Sequence, residues 1–83
     1  MRVKGVRFIG DYSLALTFWN GEERQVDLSP YVGEGEIFSP LKNPDYFKQV
    51  RIDDSQLTIC WPNGADFCPD VLWEISKTVK KAA

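Results

Sequence analysis

The chain has 83 residues, 43% of them hydrophobic and 27% charged, with a formal net charge of -2. A chain this short buries only about 60–65% of the surface that its unfolded form exposes, which leaves room for one core, so we expect a single domain over residues 1–83. The composition is too apolar for a disordered protein, and its apolar runs are too short to span a membrane. The interspersed charges provide no broad positive field for nucleic acid, and no secretory signal follows Met1. We therefore expect a cytoplasmic, globular protein with no membrane association.

The chain contains no histidine and two cysteines. The missing histidine removes the side chain most often used as a general base and as a metal ligand. Cys60 and Cys68 flank a predicted turn, and in a reducing cytosol we expect both to be free thiols, with a cross-hairpin disulfide as the alternative. Their spacing does not match a zinc knuckle, so no metal site is predicted.

The N-terminal third predicts a three-stranded meander. Residues 3–9 form the first strand candidate, and turn residues follow it. In the second strand, Leu14, Leu16 and Phe18 alternate with Ser13, Ala15, Thr17 and Trp19, the period of a half-buried antiparallel strand. Asn20-Gly21 then predicts a hairpin tip, because both residues tolerate positive φ. Residues 22–28 return as the third strand, with Val26 and Leu28 facing the core.

The middle of the chain predicts a short helical segment. Ser39-Pro40 and Asn43-Pro44 each resemble a helix cap followed by a first-turn proline. Leu41 and Phe47 are the expected anchors of this segment in the core. An acidic loop, Gly33-Glu34-Gly35-Glu36, precedes it and lacks the lysine and hydroxyl residues of a phosphate-binding loop.

A second hairpin and a C-terminal helix complete the predicted fold. Apolar residues alternate from 50 to 61 around the polar turn 53–55, and Asn63-Gly64 supplies another turn. From Pro69 onward the apolar period becomes helical, with Val71, Leu72, Ile75 and Val79 on one arc and Asp66 or Cys68 as the N-cap. The fold class predicted is α+β, in two layers, with an antiparallel sheet of about five strands: a meander, a short helical segment, a hairpin and a C-terminal helix.

Three carboxylates, Asp66, Asp70 and Glu74, recur at four-residue intervals near the last helix. Paired catalytic acids need a cleft that perturbs their pKa, and no such cleft is indicated, so we interpret these residues as capping and dipole-compensating groups. No catalytic, metal-binding or cofactor-binding residue is predicted.

Apolar residues outside the expected core are the better candidates for function. On the last helix, Trp73 lies opposite the apolar arc, beside Lys77 and Lys80. Either it stacks on Lys77 within its own helix, or it anchors a protein interface.

A second candidate is the sheet face turned away from the helices. The register predicts that Ser13, Ala15, Thr17, Trp19, Thr58 and Cys60 lie there, with Arg7, Arg24 and Arg51 at its margin. Thr17, Trp19 and Thr58 either reflect β propensity alone or form a patch that a partner covers.

Several motifs together resemble one family. They are Asn20-Gly21, Val26-Asp27-Leu28, Phe38-Ser39-Pro40-Leu41, Pro44-Asp45-Tyr46-Phe47, Trp61-Pro62-Asn63-Gly64-Ala65-Asp66 and Pro69-Asp70-Val71-Leu72. The chain resembles, over nearly its whole length, the small bacterial proteins grouped as a domain of unknown function, the DUF2442 family. The resemblance implies an α+β domain with an antiparallel sheet and two helical segments. It also implies membership in small gene pairs that are toxin–antitoxin-like, and some longer members add a helix-turn-helix, which the sequence ending at Ala83 lacks.

The function predicted is a non-enzymatic interaction module that binds a protein partner or itself. The role that the resemblance suggests for it is the antitoxin-like or regulatory member of a small bacterial gene pair. Two alternatives stay open at this point. One is nucleic-acid contact through the basic stretch 77–81, which is unexpected without an appended helix-turn-helix. The other is small-molecule binding or an enzyme using Asp66 or Cys60.

Overall fold

The computed structural model describes residues 2–33 and 35–78. Within them the strands are β1 (Val3–Gly10), β2 (Ser13–Phe18), β3 (Glu23–Asp27), β4 (Arg51–Asp53), β5 (Thr58–Cys60) and β6 (Lys77–Thr78). The helices are α1 (Gly35–Phe38), a 3₁₀ turn (Ser39–Lys42), α2 (Pro44–Phe47) and α3 (Pro69–Ile75). The predicted α+β class with antiparallel pairing is confirmed.

The described strands are divided between two sheets. The larger sheet has the order β1-β2-β3-β6, and all its pairs are antiparallel. This contains the predicted meander. The hairpin β4-β5 forms a separate two-stranded sheet against the edge of β1, where the Val3 amide donates to the Leu57 carbonyl at 2.8 Å. Leu57 has φ of 56°, so the chain bends at the point where a continuous sheet would require extended backbone.

The core lies on the inner face of the meander. Leu14, Leu16 and Phe18 are fully buried, as their alternation predicts, and Val26 lies opposite Leu14 on the neighbouring strand. The core is completed by Leu28, Leu41, Phe47, Ile59, Trp61 and Leu72. Each such side chain contributes about 1.5–3 kcal/mol when fully buried. The predicted anchors Leu41 and Phe47 are therefore confirmed.

One of the two predicted cap-proline pairs forms a cap. The Asn43 side chain accepts the Asp45 amide at 3.0 Å, and Pro44 begins α2. Ser39 instead lies inside the 3₁₀ turn, whose N-cap position is occupied by Phe38 without a side-chain hydrogen bond.

The last helix is shorter than predicted and presents a different face to the core. It begins after Cys68 as predicted and ends at Ile75, where Ser76 turns to extended backbone. Leu72 is buried, but Val71 is 41% exposed and Trp73 packs against the core, so the predicted arc is wrong at these two positions. Val79, the fourth member of that arc, lies outside the described residues. None of the helices within residues 2–33 and 35–78 has the length and hydrophobicity needed to cross a lipid bilayer.

Candidate interaction site

The first Asn-Gly turn is a three-residue loop at the tip of the β2-β3 hairpin. The Phe18 amide donates to the Glu22 carbonyl and the Gly21 amide donates to the Phe18 carbonyl, both at 2.9 Å. Gly21 has φ of 86°, and the Asn20 side chain accepts the Glu22 amide at 3.0 Å. Asn20 itself does not have positive φ, so the glycine alone supplies the left-handed residue that lets the strands pair beyond the loop.

The second Asn-Gly turn has the same hydrogen bonds. The Trp61 amide donates to the Ala65 carbonyl and the Gly64 amide to the Trp61 carbonyl, again at 2.9 Å. Gly64 has φ of 91°, and the Asn63 side chain accepts the Ala65 amide at 3.0 Å. Both Asn-Gly pairs therefore form the predicted turns, with one turn geometry used twice. The first is a hairpin tip as predicted, whereas the second is closed by the isolated antiparallel bridge between Cys60 and Asp66.

The surroundings of the two tips differ. At the second tip the Asn63 amide group also donates to the Ile37 carbonyl at 2.9 Å, and the Trp61 indole donates to the Phe47 carbonyl at 3.0 Å. These bonds fix the second tip to the helical segment. At the first tip the side chain that follows Phe18 is Trp19, which is 54% exposed. This tip therefore presents an aromatic ring to solvent, whereas the second uses its tryptophan for the core.

Two basic residues accompany Trp19. The Trp19 amide donates to the Arg2 carbonyl at 2.9 Å, which continues the β1-β2 pairing beyond the Val3–Phe18 pair and places Arg2 across from Trp19. Lys4 falls in the register shift between Val3 and Gly5, and both basic side chains are exposed. We call Arg2, Lys4 and Trp19 the basic corner. Sequence reasoning identified Trp19 but missed the two cations, because their proximity depends on strand register.

The outer face of the large sheet is closed by charged side chains. Arg7 on β1 and Glu23 on β3 form an ion pair at 3.1 Å that crosses β2. Ala15, which pairs with Arg7 on one side, is only 6% exposed. Thr17 is half-buried next to Gly5. The face expected to have few charges therefore has its own polar cover.

Thr58 does not belong to that face. It lies in β5 of the small sheet and is 2% exposed, with its hydroxyl donating to the Phe67 carbonyl at 2.6 Å. The predicted proximity of Thr58 to Thr17 and Trp19 is wrong, because the two hairpins belong to different sheets.

Trp73 is half-buried against the core, and its cationic neighbour is Arg24. Its ring meets Phe18 edge to face with centroids 5.0 Å apart, and the Arg24 guanidinium lies 4.1 Å from the ring centre. Of the two alternatives for Trp73, stacking on Lys77 is wrong, because the cation over the ring is Arg24, and a role as interface anchor stays a prediction. Lys77 is exposed in β6, a strand, so the described part of the chain does not carry the basic helix that the nucleic-acid alternative assumed. Lys80 lies outside the described residues.

Arg24 holds the end of the last helix against the sheet. It was expected at the margin of the outer face, but it pairs with Leu16 and therefore points to the inner face. Its guanidinium donates to the Ser76 hydroxyl at 2.7 Å, to the Ser76 carbonyl at 2.9 Å and to Glu22 at 2.7 Å. These bonds explain why the helix ends where it does and the chain continues as β6.

One of the residues considered for catalysis, Asp66, lies at a small depression. Cys60 and Cys68 are free thiols, as expected. Asp66 and Cys68 line a depression of about 310 Å³ together with Thr58, whose hydroxyl is committed to a backbone carbonyl. Among residues 2–33 and 35–78 no three His, Cys, Asp or Glu side chains are grouped to hold a metal ion.

A wider depression of about 670 Å³ lies over the acidic loop. Its walls include Gly33, Gly35, Glu36, Ser39 and Pro40. Apart from the Glu36 carboxylate and the Ser39 hydroxyl, these residues offer only backbone polar groups. The described part of the wall, which excludes residue 34, therefore lacks convergent side chains that would orient a ligand.

Comparison with known proteins yields one finding. No curated protein and no solved structure matches the chain. The family described as "Protein of unknown function (DUF2442)" matches residues 3–78, nearly the whole chain. The chain therefore belongs to the DUF2442 family.

Proposed function

We propose that this protein is a non-enzymatic interaction module that binds a protein partner through Trp19 at the tip of its first hairpin. The supporting observation is that the turn does not require a tryptophan at this position. The equivalent residue of the second turn is Pro62, and the hydrogen bonds of the two loops are the same. An exposed tryptophan in this position is typical of an interface anchor.

The exposed area gives the size of the contribution. A tryptophan buries about 150–250 Å² when fully covered, so the 54% of Trp19 that is exposed corresponds to about 100 Å². At about 25 cal/mol per Å², covering it corresponds to about 2–3 kcal/mol of hydrophobic transfer free energy, before the entropic cost of association is subtracted. That is the range of an interface hot spot.

The proposed partner is the product of a neighbouring gene, with this protein as the antitoxin-like or regulatory member of a small bacterial gene pair. This part of the proposal rests on what the resemblance described above implies, namely that members of the family occur in small gene pairs. Self-association through the same residue is the alternative arrangement.

Co-expression with the neighbouring reading frame tests the proposal. Tagged wild-type protein should co-purify the neighbour's product, and Trp19→Ala should lose it. Val71→Ala is the matched control, because Val71 is also a large exposed apolar side chain but lies on α3. Equal recovery with wild type and Trp19→Ala would contradict the proposal.

Small-molecule binding is the remaining alternative, and its place would be the depression at Asp66 and Cys68. A thermal melt against a metabolite library distinguishes it, because a ligand that binds the folded state raises the Tm. A shift that is lost in Asp66→Asn and kept in Trp19→Ala would favour this alternative.

A further inference from the structure

The basic corner carries charge that the rest of the hairpin does not neutralise. The two acidic residues that follow the tip are already engaged, Glu22 with Arg24 at 2.7 Å and Glu23 with Arg7 at 3.1 Å. Arg2 and Lys4, in contrast, make no ion pair with any other residue of 2–33 and 35–78. Positive charge at this corner is therefore available to a partner.

The charge of the whole chain makes this corner distinctive. The formal net charge is -2, so two free cations beside an exposed tryptophan stand out against a surface with an excess of carboxylates. Such an asymmetry orients the encounter with a partner of the opposite sign and sets specificity more than affinity.

We propose that the basic corner docks an acidic protein segment that carries an apolar side chain, with the apolar side chain against Trp19 and carboxylates beside Arg2 and Lys4. This inference rests on the proposed function and specifies the chemistry of its partner. A carboxylate segment fits better than nucleic acid, because a polyphosphate chain needs a longer positive track than two cations and would be repelled by the acidic remainder of the surface. Rim cations of this kind discriminate against basic segments by charge repulsion.

Selection from a random peptide library displayed on phage tests the inference. Wild-type protein is the target, and Trp19→Ala protein is used for counter-selection. The enriched peptides should contain Asp or Glu around a Leu, Phe, Tyr or Trp. Neutral or basic enriched peptides would overturn this inference but leave Trp19 as an interaction residue. Failure to enrich any peptide over the Trp19→Ala target would contradict both the inference and the proposed function.

Fluorescence anisotropy with a labelled, enriched acidic peptide then measures the contribution of charge. The double variant Arg2→Glu, Lys4→Glu should weaken binding by about tenfold or more, which corresponds to ~1.4 kcal/mol, and added salt should weaken binding to wild type. Arg51→Glu is the matched control, since it changes an exposed arginine on the small sheet and should leave the affinity unchanged. Unchanged affinity in the double variant would overturn the inference.

Two further measurements distinguish other occupants. Displacement of the peptide by single-stranded oligothymidylate at low salt, with tighter binding of the oligonucleotide, would overturn the inference in favour of nucleic acid. Sedimentation equilibrium tests whether a second copy of the chain is the occupant. A wild-type dimer that excludes the peptide, and that is absent in Trp19→Ala, would also overturn the inference. A monomer that binds the acidic peptide is the expected result.

Discussion

The two Asn-Gly turns have the same backbone and opposite roles. In each, a glycine with φ near 90° closes a three-residue loop and an asparagine side chain accepts the amide two residues later. The second tip is bonded to the helical segment through Asn63, and the tryptophan that precedes it is in the core. The first tip leaves Trp19 more than half exposed.

The difference between the two tips distinguishes residues that the fold requires from residues that remain available to bind a partner. The turn is specified locally by asparagine and glycine, whichever residue precedes them. Whether the tip is then docked or free depends on contacts from distant parts of the chain, such as the Asn63–Ile37 bond. The exposed aromatic ring at the first tip is not required by the turn, and the proposed function therefore centres on Trp19.

The largest expected difference is in the stability lost when each of the two tryptophans, Trp61 and Trp19, is replaced by alanine. Trp61→Ala removes a fully buried ring and its bond to the Phe47 carbonyl, and should lower the free energy of unfolding by about 3–5 kcal/mol. Trp19→Ala should lower it by less than about 1 kcal/mol, because much of that ring is already in water. Urea denaturation of both variants measures the difference. Similar losses would mean that Trp19 has a structural role.

Alanine at the two turn glycines tests whether the backbones are equivalent. A Cβ at Gly21 or Gly64 would meet no other atom within 4 Å, so the cost is that of positive φ alone. We expect each of Gly21→Ala and Gly64→Ala to destabilise by about 1–2 kcal/mol, a fall in Tm of several degrees. Unequal effects, measured by thermal melts, would show that the second loop is held by its surroundings and not by its own geometry.

Replacing the asparagine of each turn should give a smaller difference in stability between the two variants. Asn20→Ala loses the bond from the Glu22 amide, whereas Asn63→Ala loses the equivalent bond and also its bond to the Ile37 carbonyl. The free energy of unfolding of Asn63→Ala should therefore be lower than that of Asn20→Ala by about 0.5–1 kcal/mol. Equal stabilities in urea would indicate that the Ile37 bond contributes nothing in solution.

The smallest effect is a pH dependence that the Asn-Gly turns do not share. In the β4-β5 turn the Asp53 carboxylate accepts the Ser55 hydroxyl at 2.7 Å and the Ser55 amide at 2.9 Å, which lowers the pKa of Asp53 below its ordinary value of 3.8. Because the pKa of Asp53 is lower in the folded state, the ionised carboxylate stabilises the fold at any pH above 3.8. This stabilisation is lost as the pH falls through the lower pKa of the folded state. Amide NMR should show the Ser55 amide shifting with a midpoint below pH 3.8, because protonation of Asp53 weakens the hydrogen bond that this amide donates. A midpoint at or above 3.8 would contradict the assignment.

The parts of the fold that could be predicted are those specified by neighbouring residues. The turns at Gly21 and Gly64, the alternation of β2 and the Asn43 cap all depend on residues only a few positions apart. The extent and facing of α3 could not be predicted, because Arg24 and Ser76 are separated by 52 residues. Their bonds end the helix and cover Trp73.

The candidate site was predictable in part for the same reason. Trp19 could be recognised from its place beside an Asn-Gly pair, but Thr58 was misplaced because nothing local indicates that the second hairpin forms its own sheet. The cations Arg2 and Lys4 join Trp19 only through the β1-β2 register, which shifts at Lys4.

The most direct test of the account is the affinity of Trp19→Ala for the wild-type protein's partner, measured by titration calorimetry together with the Tm of the variant. We expect Trp19→Ala to bind the partner at least about tenfold more weakly than wild type, while its Tm changes by only a few degrees. An affinity equal to that of wild type would contradict the account.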